Sequence, residues 1–227
     1  MKRVCAALSV LALTITGPVQ ATGGPPVRLF DGESLDGWVK RGGEAVYGVE
    51  DGAIVGTSVA DTPNTFLCTP RDYGDFELTL QVKVDDGLNS GVQFRSLCFD
   101  EPTTAPGEGG SERKVPGGRV HGYQMEIDPS ERSWSGGVYD EARRGWLSKP
   151  EDDPAARAAF RRGEWNDYRI RCEGPSIRCW VNGVPTADFT DDLTAEGFIA
   201  LQVHSVREPE QVGKQVRWRN IVIRELD

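Results

Sequence analysis

The sequence predicts an all-β fold, a jelly-roll-like sandwich of two stacked sheets, and three observations carry that prediction. Short runs of alternating apolar and polar residues recur along most of the chain, Gly, Pro, Asp and Asn break them up, and helix signals are scarce. About a dozen strands of this size cannot stay in one flat sheet, so they stack as two sheets over a shared apolar layer. The 227 residues, 38% hydrophobic and 27% charged with 27 Gly and 14 Pro, exclude collagen, coiled coil and wholesale disorder.

The first segment stands apart. Lys2 and Arg3 make a basic start, 4–15 is almost wholly apolar, and Val19-Gln20-Ala21 resembles a small-residue cleavage site, the layout of a secretory signal peptide over 1–21. An uncleaved anchor is the rival, but the apolar run falls well short of the ~20 residues that span a membrane. Cys5 lies upstream of the cut and cannot carry the lipid of a mature lipoprotein, so no membrane attachment is expected after cleavage.

Residues 22–227 then read as one domain without internal repeats. Strands are predicted at 27–30, 45–49, 53–57, 65–68, 75–84, 91–97, 119–127, 137–139, 165–172, 177–181, 186–189, 198–205 and 215–224. One short helix is predicted at 154–160, with Pro at its start and Ala-rich content. The stretch 100–118 lacks apolar periodicity and is either a lid over a cleft or a solvated insertion.

Cys172 and Cys179 flank the turn Glu173-Gly174-Pro175-Ser176 and share one face of a hairpin, directly or diagonally opposed according to register, leaving Cys68 and Cys98 to pair. Two disulfides and four reduced, buried thiols are equally compatible with an exported chain, and metal binding by cysteine is disfavoured because zinc spacing is absent.

Side-chain parity points to a surface. Along 119–128, His121, Tyr123, Met125 and Ile127 form an apolar set, so Gln124, Glu126 and Asp128 project from the other face together with Gly122. The same count separates Gln202 and His204 from Leu201 and Val203, and Gln93 and Arg95 from Val92 and Phe94. If these strands are neighbours, Arg95, Gln124, Glu126, Asp128, Gln202 and His204 line one concave polar face able to hold a sugar. Plain solvent exposure explains any one such strand. Gln, His and Gly on a strand, only two histidines in the chain, and Gly91 and Gly122 as points of close ligand approach favour the site.

An unperturbed histidine exchanges protons near ~6.5, so a strand histidine beside Glu126 supports acid/base chemistry and His204 is the candidate, whereas His121 falls on the core face and reads as structural. Asp128, Asp140 and Glu141 offer the one conceivable divalent-cation site, although their spacing matches no ligand loop. Tyr139, Asp140, Glu141 and Arg144 sit where a cleft rim would be. Of six tryptophans, Trp165, Trp180 and Trp218 read as core, Trp134 and Trp146 as stacking platforms for a sugar. A net charge of −9 opposes nucleic-acid binding, and no phosphate loop, G-x-S-x-G elbow or H-E-x-x-H helix is present.

Leu29-Phe30-Asp31-Gly32 with Leu35-Asp36-Gly37-Trp38, Tyr73-Gly74-Asp75-Phe76-Glu77-Leu78, Asn89-Ser90-Gly91, Gly122-Tyr123-Gln124-Met125-Glu126-Ile127, Gly163-Glu164-Trp165-Asn166, Trp180-Val181-Asn182-Gly183, Leu201-Gln202-Val203-His204 and Trp218-Arg219-Asn220-Ile221 follow one another in order. In these motifs the chain resembles the 3-keto-disaccharide hydrolase domain family. The resemblance implies a concanavalin A-like sandwich, periplasmic or secreted in bacteria, acting on glycosides whose C3 hydroxyl is oxidised to a ketone. A C3 ketone acidifies the C2 hydrogen, so Glu126 or His204 would act as base and the other would protonate the leaving group, with Arg95, Gln124 or a bound cation facing the enolate. Asn89, Trp165, Asn166, Asn182 and Gly183 also match, but read as structural, since Asn-Gly and Asn-Ser-Gly are ordinary turn chemistry. A non-catalytic carbohydrate-binding module is the alternative, an extracellular interaction domain a weaker one.

Overall fold

The computed structural model describes residues 23–227, so the signal peptide predicted over 1–21 lies outside the described residues. In chain order the first strands are β1 (Val27–Arg28), β2 (Val39–Gly42), β3 (Val46–Glu50), β4 (Ala53–Thr57), β5 (Thr65–Tyr73) and β6 (Phe76–Val84). Next come β7 (Ser90–Leu97), β8 (Thr103–Pro106), β9 (Glu112–Val115), β10 (His121–Ile127), β11 (Val138–Glu141) and β12 (Gly145–Ser148). After the one-turn helix α1 (Pro154–Arg157) follow β13 (Asn166–Glu173), β14 (Ser176–Val181), β15 (Val184–Thr190), β16 (Gly197–Val203) and β17 (Gln215–Glu225).

Two antiparallel sheets stack as the sequence predicts. One runs β15-β14-β13-β6-β17-β4-β3 with β1 added on β17, the other β12-β11-β10-β7-β16-β5-β2. Parity places the apolar sets between them: Leu78 and Val82 of β6, Ile170 of β13 and Trp218 of β17 face Val92 and Phe94 of β7, Tyr123 and Met125 of β10, and Leu201 of β16. Each such side chain contributes about 1.5–3 kcal/mol on burial, which fixes register because a one-residue slip would turn every one of them outward.

Several elements depart from expectation for local reasons. The 100–118 stretch is no featureless loop: β8 and β9 form a separate hairpin with Thr103 opposite Val115. Strands β2 and β12, edge strands of the second sheet, carry too little alternation to be seen in sequence. Helix α1 stops at Arg157, four residues long, with Asp153 Oδ1 accepting from the Ala155 and Ala156 amides as its cap. Trp165 and Trp180 are half-buried on the outer face of the first sheet; of the three tryptophans assigned to the core, Trp218 alone is buried.

The four cysteines in the described residues are free thiols, Cys68, Cys172 and Cys179 buried and Cys98 partly so. Register explains the hairpin pair: Cys172 lies opposite Ile177 and Cys179 opposite Ile170, a diagonal relation in which Cα atoms sit roughly 7–8 Å apart, beyond normal disulfide reach. Burial pushes the Cys172 and Cys68 thiols up to about 12, so they stay protonated and inert.

Candidate functional site

The outer face of the second sheet carries a cleft of about 520 Å³. Its floor comes from the three central strands, since β10 lies between β11 and β7, and β7 between β10 and β16. Register sets Gln124 beside Gln93 on one side and Tyr139 on the other, and Ala200 beside Gln93.

Glu126 sits at the centre of the floor, 4% exposed. Its carboxylate accepts from Asn89 Nδ2 at 2.6 Å, Gln124 Nε2 at 3.0 Å and an Arg132 guanidinium nitrogen at 3.2 Å. Burial pushes its pKa up to about 7, outweighing these donors, with the neighbouring Asp128 charge acting in the same direction as burial. The group therefore exchanges a proton near neutral pH.

A chain of amides orients it. Gln93 Nε2 and Gln202 Nε2 both donate to Gln124 Oε1, at 2.8 and 2.7 Å, and Ser96 Oγ donates to Gln93 Oε1 at 2.7 Å. With its oxygen held by two donors, Gln124 can only turn its NH₂ toward Glu126. Gln202 Oε1 is left as a buried acceptor without a partner. The two glycines have a different role from the expected close ligand approach: a Cβ on Gly91 would lie 2.4 Å from Gln124 Cδ, and one on Gly122 2.6 Å from Ser96 Oγ. They make room for the amide chain.

His204 closes the far end of the floor, with Nδ1 2.7 Å from the Ser205 carbonyl. A carbonyl only accepts, so Nδ1 carries the proton and Nε2 is left for a ligand. The carboxylate that feels His204 is Glu141 rather than Glu126. Glu141 is paired with Arg119 and its pKa is raised, chiefly by burial, against the pull of Arg119, His204 and Asn64. The cleft thus holds two buried carboxylates, Glu126 beside Arg132 and Glu141 beside Arg119.

One wall is aromatic. Tyr139 and Trp146 meet edge-on at 5.2 Å, Trp146 and Trp134 at 4.9 Å, and Arg132 lies 4.6 Å over Trp134. Asp128 anchors that wall: its carboxylate accepts from the Ser130 amide, Arg132 Nε at 2.8 Å and the Trp134 amide. Burial works against its ionisation, but the Ser130 and Arg132 bonds win and hold its pKa below the usual range. A second cleft of about 320 Å³ adjoins the first, sharing Asn89, Arg132 and His204 and adding Asp128.

Of the residues singled out from sequence, Gln124, Glu126, Gln202, His204, Tyr139 and Trp146 line the main cleft, and Asp128 the adjoining one. Arg95 does not. It takes a left-handed conformation at φ 42°, a bulge that breaks the strict alternation, and its side chain is 1% exposed. Its guanidinium donates to the Gly74 and Gly174 carbonyls and pairs with Asp75 at 2.7 Å, bolting the two sheets together at one end. Asp140 turns to the opposite side of β11 from Glu141 and is fully buried against Arg143 and Arg144, so the Asp128, Asp140 and Glu141 set does not converge on a cation. No cluster of three or more His, Cys, Asp or Glu able to hold a metal occurs among the described residues. His121 packs against Phe99, with burial lowering its pKa, as a structural residue does.

Arg132, Asn64 and the anchoring role of Asn89 escape sequence reasoning. Asn89 has the signature of an Asn-Ser-Gly turn, Asn64 sits in a Thr-Pro-Asn turn, and nothing in the pattern separates Arg132 from the other arginines.

A sequence profile described as 3-keto-alpha-glucoside-1,2-lyase-like domain matches residues 25–224. No curated protein matches the chain. Among solved structures it is similar to a protein assigned as a glycosyl hydrolase from Parabacteroides distasonis, 18% identical over 95% of this chain and 99% of that one, with a TM-score of 0.55. It is also similar to a Bacillus subtilis protein of galectin-like fold, 11% identical over 91% and 98% of the two chains, TM-score 0.59. The kappa-carrageenase of Pseudoalteromonas carrageenovora is 10% identical over 94% and 99%, TM-score 0.53. These likenesses establish the galectin-like, jelly-roll sandwich.

Proposed function

Because the chain belongs to the 3-keto-alpha-glucoside-1,2-lyase-like domain family, we propose that it is an exported enzyme, periplasmic or secreted, that cleaves 3-keto-glycosides by elimination followed by hydration. The observation that carries the reading is Glu126, a buried carboxylate on the cleft floor whose pKa is pushed up to about 7. A base of that strength can remove the C2 proton that a C3 ketone acidifies.

The electron pair of the C2–H bond forms the C1=C2 double bond through the enolate, and the C1–O bond breaks with its electrons leaving on the aglycone oxygen. His204, as the imidazolium with its Nδ1–H held by the Ser205 carbonyl, delivers its Nε2 proton to that oxygen. Water then adds at C1 and gives its proton to His204 Nε2, while C2 regains the proton held by Glu126, and the net change is hydrolysis. Arg132, which already faces the Glu126 carboxylate, takes the part first assigned to Arg95, opposing negative charge that develops on the sugar. Gln202 Oε1 offers its unused acceptor to a sugar hydroxyl, and the Tyr139–Trp146 wall offers apolar surface to a pyranose face.

Incubating the purified chain with a 3-keto-glucoside and its unoxidised parent, with and without chelator, tests this. Cleavage of the keto form alone is expected, with Glu126→Gln slower by about 10²–10⁴-fold, and kcat/KM rising with pH through about 7 as Glu126 ionises. Cleavage of both forms at similar rates, or a Glu126→Gln variant as fast as the parent, overturns it. Sugar binding without cleavage would leave a carbohydrate-binding module. Loss of activity in chelator would put a divalent cation in the reaction.

A further inference from the structure

The outer face of the opposite sheet carries a groove of about 560 Å³ that the reaction above does not use. Its floor is Thr79 and Gln81 of β6. Cross-strand register sets Arg169 between Thr79 and Trp180, and sets Gln81 between Asp167 and Arg219. Asn220, at φ 52° in the bulge of β17, donates from Nδ2 to Gln81 Oε1 at 3.1 Å.

Each flank is an arginine lying on an indole. The Arg169 guanidinium lies 3.7 Å over Trp180 and that of Arg219 4.0 Å over Trp165. Further along the same face Arg171, Arg178 and Arg217 each pair with a carboxylate, whereas among the described residues Arg169 and Arg219 have no such partner. Two uncompensated cations, fixed in orientation by aromatic faces, thus flank a floor of amide and hydroxyl groups. Asp167 Oδ1 accepts from Gln81 at 2.9 Å, and its second oxygen remains open to hydroxyls.

We propose that this groove is a second carbohydrate site and that it takes an acidic glycan. The guanidiniums match a sugar carboxylate in the forked geometry arginine favours, Thr79, Gln81 and Asp167 match ring hydroxyls, and the indole edges match the apolar face of a pyranose. A polyphosphate is the poorer occupant, because it brings no hydroxyl for the open Asp167 oxygen to accept from and sets further negative charge beside that carboxylate. The groove would hold the enzyme on a charged polysaccharide while the Glu126 cleft faces away from it.

Calorimetric titration of the whole chain with tetragalacturonate and with maltotetraose at about 0.15 M salt, where steering by distant charges is screened, tests the assignment. Tetragalacturonate is expected to bind saturably, and Arg169→Gln with Arg219→Gln to weaken it at least about tenfold. Glu126→Gln is expected to bind as the parent does, which separates this site from the catalytic cleft. In the parent protein the indole N–H resonance of Trp180 should shift with tetragalacturonate while that of Trp146 stays in place, a readout that needs no variant to fold. Absence of binding, equal binding of maltotetraose, or a shift at Trp146 instead of Trp180 overturns the proposal.

Discussion

On the outer face of one sheet Gln93, Gln124, Glu126 and Gln202 are sealed from solvent and bonded to one another, whereas on the other outer face Glu77, Arg171, Glu173 and Arg178 pair while still wetted. Both faces arise from the same alternation of apolar and polar residues. The difference lies in what covers them: the aromatic wall of Tyr139, Trp146 and Trp134 and the Asp128-anchored loop wrap the first, and among the described residues nothing comparable wraps the second. Desolvation converts ordinary polar side chains into groups that must find partners and, in Glu126, into a titrating carboxylate near neutral pH.

Gln124→Leu is the largest perturbation of that contrast. It orphans the Gln93 and Gln202 donors in a dry site and removes a donor from Glu126, so chemical denaturation should report about 2–6 kcal/mol of lost stability, two unsatisfied groups at roughly 1–3 kcal/mol each.

The pH dependence of stability comes next. In the folded protein Glu126 binds its proton up to about 7, against 4.5 for the free side chain, so the fold holds more protons than the unfolded chain between those values. The stabilisation from the protonated carboxyl is complete below about 4.5 and disappears as pH rises through about 7, on the order of 3 kcal/mol for this one group. Asp128 runs the other way: its lowered pKa contributes stability above 3.8 that is lost as pH falls. Unfolding free energies of the parent and Glu126→Gln measured at intervals across that range should differ in slope between about 4.5 and 7; parallel curves would mean that Glu126 is not desolvated as described.

Much of this arrangement is legible in the sequence, and what is not has physical causes. Alternation identifies the sandwich and puts Gln124 and Glu126 on one face because β10 runs without interruption between them. It misplaces Arg95, since a single left-handed residue reverses the face of everything after it and no local signal marks the bulge. It misses Arg132 and Asn64 because loops carry no period. It misreads Trp165 and Trp180, whose size suggests core although their strand parity puts them outside, under stacked arginines.

Glycine substitution sharpens the contrast at smaller scale. Gly91→Ala would set a methyl against the Gln124 side chain, whereas a Cβ at Gly48 of β3 meets nothing within 4 Å. The first variant should lose about 1–3 kcal/mol through overpacking, together with activity, as the amide chain is pushed off Glu126. The second should be neutral or gain about 0.4–1 kcal/mol from the lower entropy of its unfolded state. Equal thermal shifts for both would show that Gly91 is not a packing requirement.

The smallest effect tests the wetted face itself. Glu173 accepts from Arg171 at 2.8 Å and lies 3.7 Å from Arg178, but its side chain is 48% exposed. Water competes for all three groups, so Glu173→Gln should change stability by less than about 0.5 kcal/mol, and by less still at high salt. The same chemical change at Glu126, carboxylate to amide, abolishes a proton equilibrium. A large loss at Glu173 would mean that the two faces share one electrostatic regime, and that burial is not what distinguishes the cleft.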